Sequence, residues 1–246
     1  MAEKRLAILI PAWNEEEALP EVLKELQRDV PYGKIIVIDD GSSDSTSQIA
    51  RLAGATVLTL PLNLGVGGAM RTGYQYAYRY GFERAIQVDA DGQHRPKDIS
   101  LLMERMDETD ADLIIGARFA GKGNYSVKGP RAWAMKLLSR ILSRLHKTKL
   151  TDTTSGFKLT NRKAIALFAS ELPAEYLGDT IEALVIAHKA GLRVEQVGVE
   201  MRERIGGQPS HNPLKAARFL LKGFIAMIIA SSRPSAHKND GSEGRQ

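Results

Sequence analysis

Two hydrophobic patterns alternate along the first 120 residues of this chain. Short continuous apolar runs predict buried strands at residues 6–10, 34–38, 55–60, 85–88 and 111–117. Between them, apolar residues recur every three or four positions, which predicts helices at residues 14–28, 45–53, 69–80 and 96–106. Asn14 is the predicted N-cap of the first helix, with Glu17 three residues later. Strands separated by single helices indicate an α/β fold with a doubly wound, mostly parallel sheet flanked by helices. In such sheets the ligand site lies at the carboxyl ends of the strands.

One predicted strand ends in a pair of acidic residues. Asp89 and Asp91 follow residues 85–88, in the stretch Asp-Ala-Asp-Gly-Gln-His. Side chains alternate faces along a strand, so the two carboxylates are expected to project to the same side. Carboxylates at that spacing can hold Mg²⁺ or Mn²⁺ and leave coordination positions for a diphosphate. The alternative interpretation is a solvated acidic turn, because Asp and Gly are ordinary turn residues.

Three further motifs lie at predicted strand ends or before a predicted helix. They are Pro-Ala-Trp-Asn-Glu-Glu at 11–16, Asp-Asp-Gly-Ser-Ser-Asp at 39–44, and Asn-Leu-Gly-Val-Gly-Gly at 63–68. Together with the acidic pair, and in this order, they resemble the family 2 glycosyltransferases of the GT-A fold. The resemblance is strongest to polyprenyl-phosphate sugar synthases of the dolichol-phosphate mannose synthase type, over roughly residues 5–210. Four motifs in order are far more specific than any one of them.

The resemblance implies an inverting, metal-dependent transfer from a nucleotide diphosphate-sugar. It implies Asp89, Asp91 and Gln93 as ligands of Mg²⁺ or Mn²⁺, and Asp89, Asp91 and Glu182 as catalytic residues. The residues implied in nucleotide-sugar binding are Pro11, Ala12, Trp13, Glu15, Ile38, Asp39, Asp40, Arg71, Asp89, Ala90, Asp91, Arg118 and Arg204. Trp13 stands where relatives commonly carry Tyr. For Gly65 and Gly67, a simple turn before a helix is an equal alternative to ligand contact.

The resemblance also implies an acceptor site for a polyprenyl phosphate. The stretch Ser-Gly-Phe-Lys at 155–158 resembles a Ser-Gly-Phe-Arg motif, and it makes Ser155 and Lys158 candidate acceptor-phosphate residues. Arg131 is a third candidate and matches the family loosely. The stretch at 204–210 resembles a flexible Arg-x-x-Gly loop that closes over the diphosphate. Many relatives follow that loop with Ser-Lys, where this chain has Ser-His.

The charge distribution argues against a nucleic-acid partner. From residue 202 onward there are eight lysines and arginines against three acidic residues, which equals the net charge of +5 of the whole chain. A basic excess confined to one segment fits a phosphate-bearing ligand or an anionic membrane surface. Aromatic residues make up only 6% of the chain, and no stacking platform for bases is visible. The absence of cysteine excludes disulfides and is compatible with the cytosol.

Two segments suggest contact with a membrane that the chain does not span. Residues 134–147 form a basic amphipathic pattern, which predicts an interfacial helix or an ordinary surface helix packed on the sheet. Residues 214–230 are mostly apolar but carry three basic residues, and are too short and charged to span easily. No signal segment precedes the first strand. We expect a GT-A domain over residues 1–212, an interfacial or partner-docking helix over 213–230, and a disordered tail over 231–246.

The sequence thus predicts a glycosyltransferase that is cytoplasmic and peripheral at the inner face of the cell membrane, with a possible small integral-membrane partner. Transfer to a sugar hydroxyl, in polysaccharide or glycolipid synthesis, is the nearest alternative. Two other classes are a sugar nucleotidyltransferase and a non-catalytic nucleotide-binding module. A sugar nucleotidyltransferase would need a Gly-rich N-terminal loop with a basic residue, whereas this chain has Pro-Ala-Trp-Asn at 11–14. The second is disfavoured by the retention of both carboxylates.

Overall fold

The computed structural model describes residues 5–118, 130–172 and 178–205, with side chains omitted at 130–136, 178 and 179. Within these ranges, strands assemble into one seven-stranded sheet in the order β3-β2-β1-β4-β6-β5-β7. The strands are β1 (Leu6–Ala12), β2 (Lys34–Asp39), β3 (Thr56–Thr59), β4 (Arg84–Gln87), β5 (Leu113–Ala117), β6 (Lys158–Asn161) and β7 (Val194–Gly198). The predicted mostly parallel α/β sheet is therefore confirmed.

Strand β6 is the exception to the parallel arrangement. It lies between β4 and β5 and runs antiparallel to both. Because of this reversal, its first residue, Lys158, is at the edge where the parallel strands end. No strand was predicted here, because the four residues Lys-Leu-Thr-Asn contain no apolar run.

Helices cover both faces of the sheet. They are α1 (Leu19–Asp29), α2 (Thr46–Leu52), α3 (Gly65–Arg79), α4 (Ile99–Thr109), α5 (Pro130–His146), α6 (Arg162–Glu171) and α7 (Ala183–Lys189). Alternate residues of β1 explain the two layers: Ala7 and Leu9 join one buried cluster, whereas Ile8 and Ile10 join the other. Strands buried on both faces read as continuous apolar runs, which is the pattern seen in the sequence.

Two predicted helix starts were wrong. Helix α1 begins at Leu19, five residues after the predicted N-cap Asn14. Asn14 instead has a left-handed backbone (φ 52°). Its side-chain oxygen accepts a hydrogen bond from the Ser43 amide at 2.9 Å, so it joins two loops. Helix α3 begins at Gly65, so the glycines of the 63–68 motif form its first turn and are buried there.

The amphipathic helix predicted at 134–147 is an ordinary packed helix. On α5, Leu138 and Leu142 are buried in the core cluster that also contains α7 residues, whereas Arg140 and Arg144 are exposed. The apolar face is therefore occupied by protein. Within the described part of the chain, none of the helices combines the length and apolar character needed to cross a membrane. The predicted helix at 213–230 and the tail at 231–246 lie outside the described residues.

Candidate active site

Three parallel strands bring their following loops to one edge of the sheet. The registers pair Ala12 with Asp39 and Leu9 with Gln87, so β1, β2 and β4 end side by side. Side chains then join the first two loops: the Glu15 amide donates to Thr46 Oγ1 at 2.9 Å. Within this edge Trp13 is exposed, whereas Ala12, Ile38 and Ala90 are buried. The predicted nucleotide-binding loops thus lie together.

Asp89 lies just beyond β4, and two neighbouring side chains hold its carboxylate. Its Oδ1 accepts a hydrogen bond from Gln87 Nε2 at 3.2 Å. Its Oδ2 lies 3.6 Å from His94 Nε2, and its backbone amide donates to His94 Nδ1 at 3.0 Å. The side chain remains 36% exposed, which leaves the carboxylate accessible from the solvent side.

Asp91 is more enclosed, at 8% exposure. Its Oδ1 accepts a hydrogen bond from the Gln93 amide at 3.0 Å, and its Oδ2 lies 3.8 Å from Arg204 Nε. Burial raises the pKa of Asp91 above its usual value, and the nearby negative charge of Asp89 raises it further. Both effects disfavour the ionised carboxylate and would be relieved by a bound cation.

The acidic pair fits a divalent cation that is completed by substrate oxygens. Across the described residues, no group of three or more His, Asp or Glu side chains could hold a metal ion. Two carboxylates are nevertheless the usual protein contribution to Mg²⁺ sites that also use substrate phosphates. Gln93, the third predicted ligand, places its side-chain nitrogen 3.5 Å from the Arg202 carbonyl oxygen. The metal role of Gln93 stays a prediction.

A second charged group lies beside the acidic pair. Arg204 Nη2 donates to Glu15 Oε1 at 2.9 Å, while Glu15 Oε2 is buried and has no hydrogen-bond partner. Burial raises the pKa of Glu15, the charge of Arg204 opposes this rise, and the charges of Asp91 and Asp89 add to it. Both residues are predicted to bind the nucleotide-sugar, and their pairing with each other is visible only in the structure.

The segment that carries Arg204 is hydrogen-bonded to the loop that contains Asp91 and Gln93. The Ile205 amide donates to the Asp91 carbonyl oxygen at 3.1 Å, and the Arg202 amide donates to the Gln93 carbonyl oxygen at 3.1 Å. Arg202 also binds both carboxylate oxygens of Glu25 at 2.8 Å. The C-terminal end of the described chain therefore forms one wall of the site.

Asp39 and Asp40 are buried and make hydrogen bonds within the protein. Asp39 accepts from the Ser42 amide at 2.9 Å and from the Ser47 hydroxyl. Asp40 accepts from the amides of Leu64 at 2.8 Å and Gly65 at 2.7 Å, at the start of α3. Burial raises the pKa of Asp40 although these two bonds lower it. The role of Asp40 as the N-terminal cap of α3 was missed, and its predicted nucleoside contact stays untested.

Arg118 forms an ion pair that the sequence did not reveal. Its Nε and Nη2 donate to the two oxygens of Asp152 at 2.6 and 2.9 Å, and Nη2 also lies 2.9 Å from Thr154 Oγ1. Burial raises the pKa of Asp152, but the hydrogen bonds and charge of Arg118 outweigh it and hold that pKa below its usual value. A donor phosphate, as predicted for Arg118, would have to share the guanidinium with Asp152.

The predicted acceptor residues are enclosed. The Ser155 hydroxyl donates to the Gly116 carbonyl oxygen at 2.7 Å and accepts from the Phe157 amide at 3.2 Å. Lys158 is fully buried on β6. The side chain of Arg131 is not among those described. Their acceptor role stays a prediction.

Two other predicted residues lie near the end of α6 and the turn before α7. Arg71 on α3 directs Nη2 to the Ser170 carbonyl oxygen at 3.3 Å, and its Nε is buried without a hydrogen-bond partner. Glu182 ends a π-helical turn, Gly178–Glu182, that packs on α3. This turn runs directly into α7, and the catalytic role of Glu182 stays a prediction.

Comparison with known proteins identifies the family of this chain. Residues 7–168 match the family model described as glycosyl transferase family 2. The chain is 30% identical over 214 residues to an undecaprenyl-phosphate mannosyltransferase of Micrococcus luteus, covering 83% of this chain and 86% of the relative. It is 28% identical over 226 residues to the UDP-N-acetylglucosamine–dolichyl-phosphate N-acetylglucosaminyltransferase of Methanococcus voltae, covering 81% and 86% of the two chains.

A solved structure shares the fold. Glucosyl-3-phosphoglycerate synthase of Mycobacterium tuberculosis, in complex with phosphoglyceric acid, superposes with a TM-score of 0.71 at 19% identity, over 96% of this chain and 82% of that chain. The same enzyme with Mn²⁺, uridine-diphosphate-glucose and phosphoglyceric acid gives a TM-score of 0.70 at 18% identity, over 96% and 82%. The family match and the sequence relatives lead to one conclusion: the chain belongs to glycosyl transferase family 2 and is a glycosyltransferase.

Proposed function

We propose that this glycosyltransferase is metal-dependent and inverting, and that it moves a sugar from a nucleotide diphosphate-sugar to a polyprenyl phosphate. The observation that carries the proposal is the pair Asp89 and Asp91 at the end of β4, one partly exposed and the other buried beside Arg204. Support for the acceptor comes from the relatives, whose names give undecaprenyl phosphate and dolichyl phosphate. Support for the metal comes from the fold neighbour solved with Mn²⁺ and uridine-diphosphate-glucose.

A bound Mg²⁺ or Mn²⁺ would neutralise charge on the leaving diphosphate. Asp89 and Asp91 would hold that cation, with Gln93 as the predicted third ligand. Arg204 pairs with Glu15 and lies 3.8 Å from Asp91, and it would add positive charge beside the diphosphate. The residues at the ends of β1 and β2 would orient the nucleoside.

The acceptor chemistry requires no proton transfer to the protein. A phosphate monoester has a second pKa of about 6, so it is largely a dianion at neutral pH. One of its oxygens attacks the anomeric carbon from the face opposite the diphosphate. The new carbon–oxygen bond forms while the bond to the diphosphate breaks, and the nucleoside diphosphate leaves with the electron pair. Glu182 would then position the acceptor instead of acting as a general base.

We also propose that the protein works at the cytoplasmic membrane face, where its lipid acceptor is. The exposed Arg140 and Arg144 and the basic residues beyond 202 could each contribute about 1 kcal/mol near an anionic leaflet. Residues 214–230 would dock on the membrane surface or on a small integral-membrane partner.

The test is an assay of the purified full-length chain with a synthetic polyprenyl phosphate and a panel of labelled nucleotide-sugars. Product is measured with Mg²⁺, with Mn²⁺ and with a chelator. We expect metal-dependent transfer that Asp91→Ala abolishes. The matched control is Glu108→Ala, an exposed acidic residue on α4 whose loss should leave the rate unchanged. Full turnover in the chelator, or an active Asp91→Ala protein, would refute the metal assignment. Transfer to sugar hydroxyls alone would refute the lipid acceptor.

A further inference from the structure

The carboxylate of Asp89 lies in a cradle built from three parts of the chain. Gln87 Nε2 donates to its Oδ1 at 3.2 Å, and His94 Nε2 lies 3.6 Å from its Oδ2. Gly156 closes the third side, since a Cβ at that position would lie 3.0 Å from both Asp89 oxygens. Gln87 and His94 are themselves buried, at 2% and 3% exposure. These two side chains are therefore fixed, whereas the carboxylate they touch is open to solvent.

A hydrogen bond from the backbone assigns the tautomer of His94. The Asp89 amide donates to Nδ1 at 3.0 Å, and a backbone amide has no acceptor function, so Nδ1 must be unprotonated. The ring N–H is then at Nε2, the nitrogen that lies 3.6 Å from Asp89 Oδ2. The ring stacks on Phe157, with centroids 4.7 Å apart and planes 23° apart. His94 thus contacts Asp89 at both its backbone and its carboxylate.

We propose that His94 and Gln87 are positioning residues, which hold the Asp89 carboxylate in the orientation that binds the metal. The inference rests on the proposed metal site at Asp89 and Asp91. It explains why a polar Gln and a His are buried beside β6: their donors face the two oxygens of one carboxylate, and Phe157 fixes the imidazole plane. Partners of this kind orient the ligand, and their loss weakens metal binding by about 10- to 100-fold.

The test measures Mn²⁺ binding by the full-length protein from the electron paramagnetic resonance signal of free Mn²⁺. His94→Asn keeps an acceptor for the Asp89 amide but removes the Nε2 donor and the aromatic stack. Gln87→Met keeps the length of the side chain and removes its donor. We expect each variant to raise the Kd for Mn²⁺ about 10-fold. His146→Asn, on α5, is the matched control and should leave the Kd unchanged.

The outcomes separate this inference from the metal site itself. A purely structural role would lower the melting temperature of the variants without changing their Kd, and that result would overturn the positioning role. Failure of the wild-type protein to bind Mn²⁺ would overturn the metal site and this inference together. If either variant does not fold, long-range ¹H–¹⁵N spectra of the wild type decide the point. We expect the Nε2–H tautomer of His94, with a shift of its ring nitrogens on adding Mg²⁺, and an Nδ1–H tautomer would refute the geometry.

Discussion

Replacing Gly156 with alanine should damage the reaction more than the fold. The added Cβ would lie 3.0 Å from both oxygens of Asp89 and 3.0 Å from Gln87 Nε2, whereas ordinary contacts begin near 3.4 Å. The side chains of Asp89 and Gln87 must therefore move by about 0.4 Å, the difference between these distances. The Asp89 side chain is 36% exposed, so it can rotate toward solvent while the strands stay in place. An off-rotamer side chain costs about 1 kcal/mol.

The loss of activity follows from the displacement of the carboxylate. A misplacement of 1 Å can cost about 100-fold in rate, so a shift of 0.4 Å corresponds to about 5- to 10-fold on a logarithmic scale. The assay is the initial rate of sugar transfer at saturating donor, measured over a series of Mn²⁺ concentrations. We expect both a lower rate and a higher Mn²⁺ requirement.

Gly73→Ala is the matched control for this prediction. Its Cβ would also approach a neighbour at 3.0 Å, but the neighbour is Ile38 Cδ1, the end of a flexible side chain, and none of its three nearest atoms belongs to an acidic residue. We expect normal transfer by this variant. A Gly156→Ala protein with the wild-type rate and the wild-type Mn²⁺ dependence would refute the argument that Gly156 keeps Asp89 in place.

Three other substitutions test separate parts of the structure, and cell fractionation tests where the protein is located. Asp152→Asn removes a buried partner of Arg118 and should lower the free energy of unfolding by about 3 kcal/mol, seen by urea titration. Because the folded-state pKa of Asp152 is lowered, its contribution is present above the unfolded pKa of about 3.9 and is lost as pH falls through the folded value. As the pH is lowered, the free energy of unfolding of Asp152→Asn should therefore fall less than that of the wild type. An identical pH dependence of the two proteins would contradict this. Asp40→Asn disturbs the hydrogen bonds at the start of α3 and should lower the free energy of unfolding by about 1–2 kcal/mol. Donor affinity should fall as well if Asp40 orients the nucleoside, and unchanged affinity would contradict that contact. Glu182→Gln should reduce transfer less than Asp91→Ala does, and normal donor binding with no detectable transfer would favour a hydroxyl acceptor that needs a base. In cell fractionation the protein should sediment with membranes at low salt, and high salt should release it if surface charge alone holds it. Fully soluble protein at low salt would remove the main support for the lipid acceptor.

The sequence by itself determined five of the seven described strands and the position of the acidic pair along the chain. Runs such as Leu-Ala-Ile-Leu-Ile at 6–10 are apolar on both strand faces, which only a sheet covered by two helical layers can bury. The acidic pair follows the fourth predicted strand, which places it at the carboxyl edge of the sheet. Because β4 ends at Gln87 and Asp91 lies in the turn beyond it, strand alternation does not set the direction of these side chains. The apolar runs and the place of the acidic pair after one of them are local properties of the chain, so they can be predicted without knowing which segments meet.

The partners of the site residues were decided only by the tertiary structure. Glu15 and Arg204 are 189 positions apart, and Arg118 and Asp152 are 34 apart, so no local spacing links either pair. The surroundings of the Asp89 carboxylate were likewise decided by the tertiary structure. Gly156 and Phe157 come close to Asp89 and His94 only because β6 pairs antiparallel with β4. The burial of the apolar face of α5 depended likewise on its packing with α7. An amphipathic pattern specifies that one face avoids water, and long-range packing decides whether protein or lipid covers it.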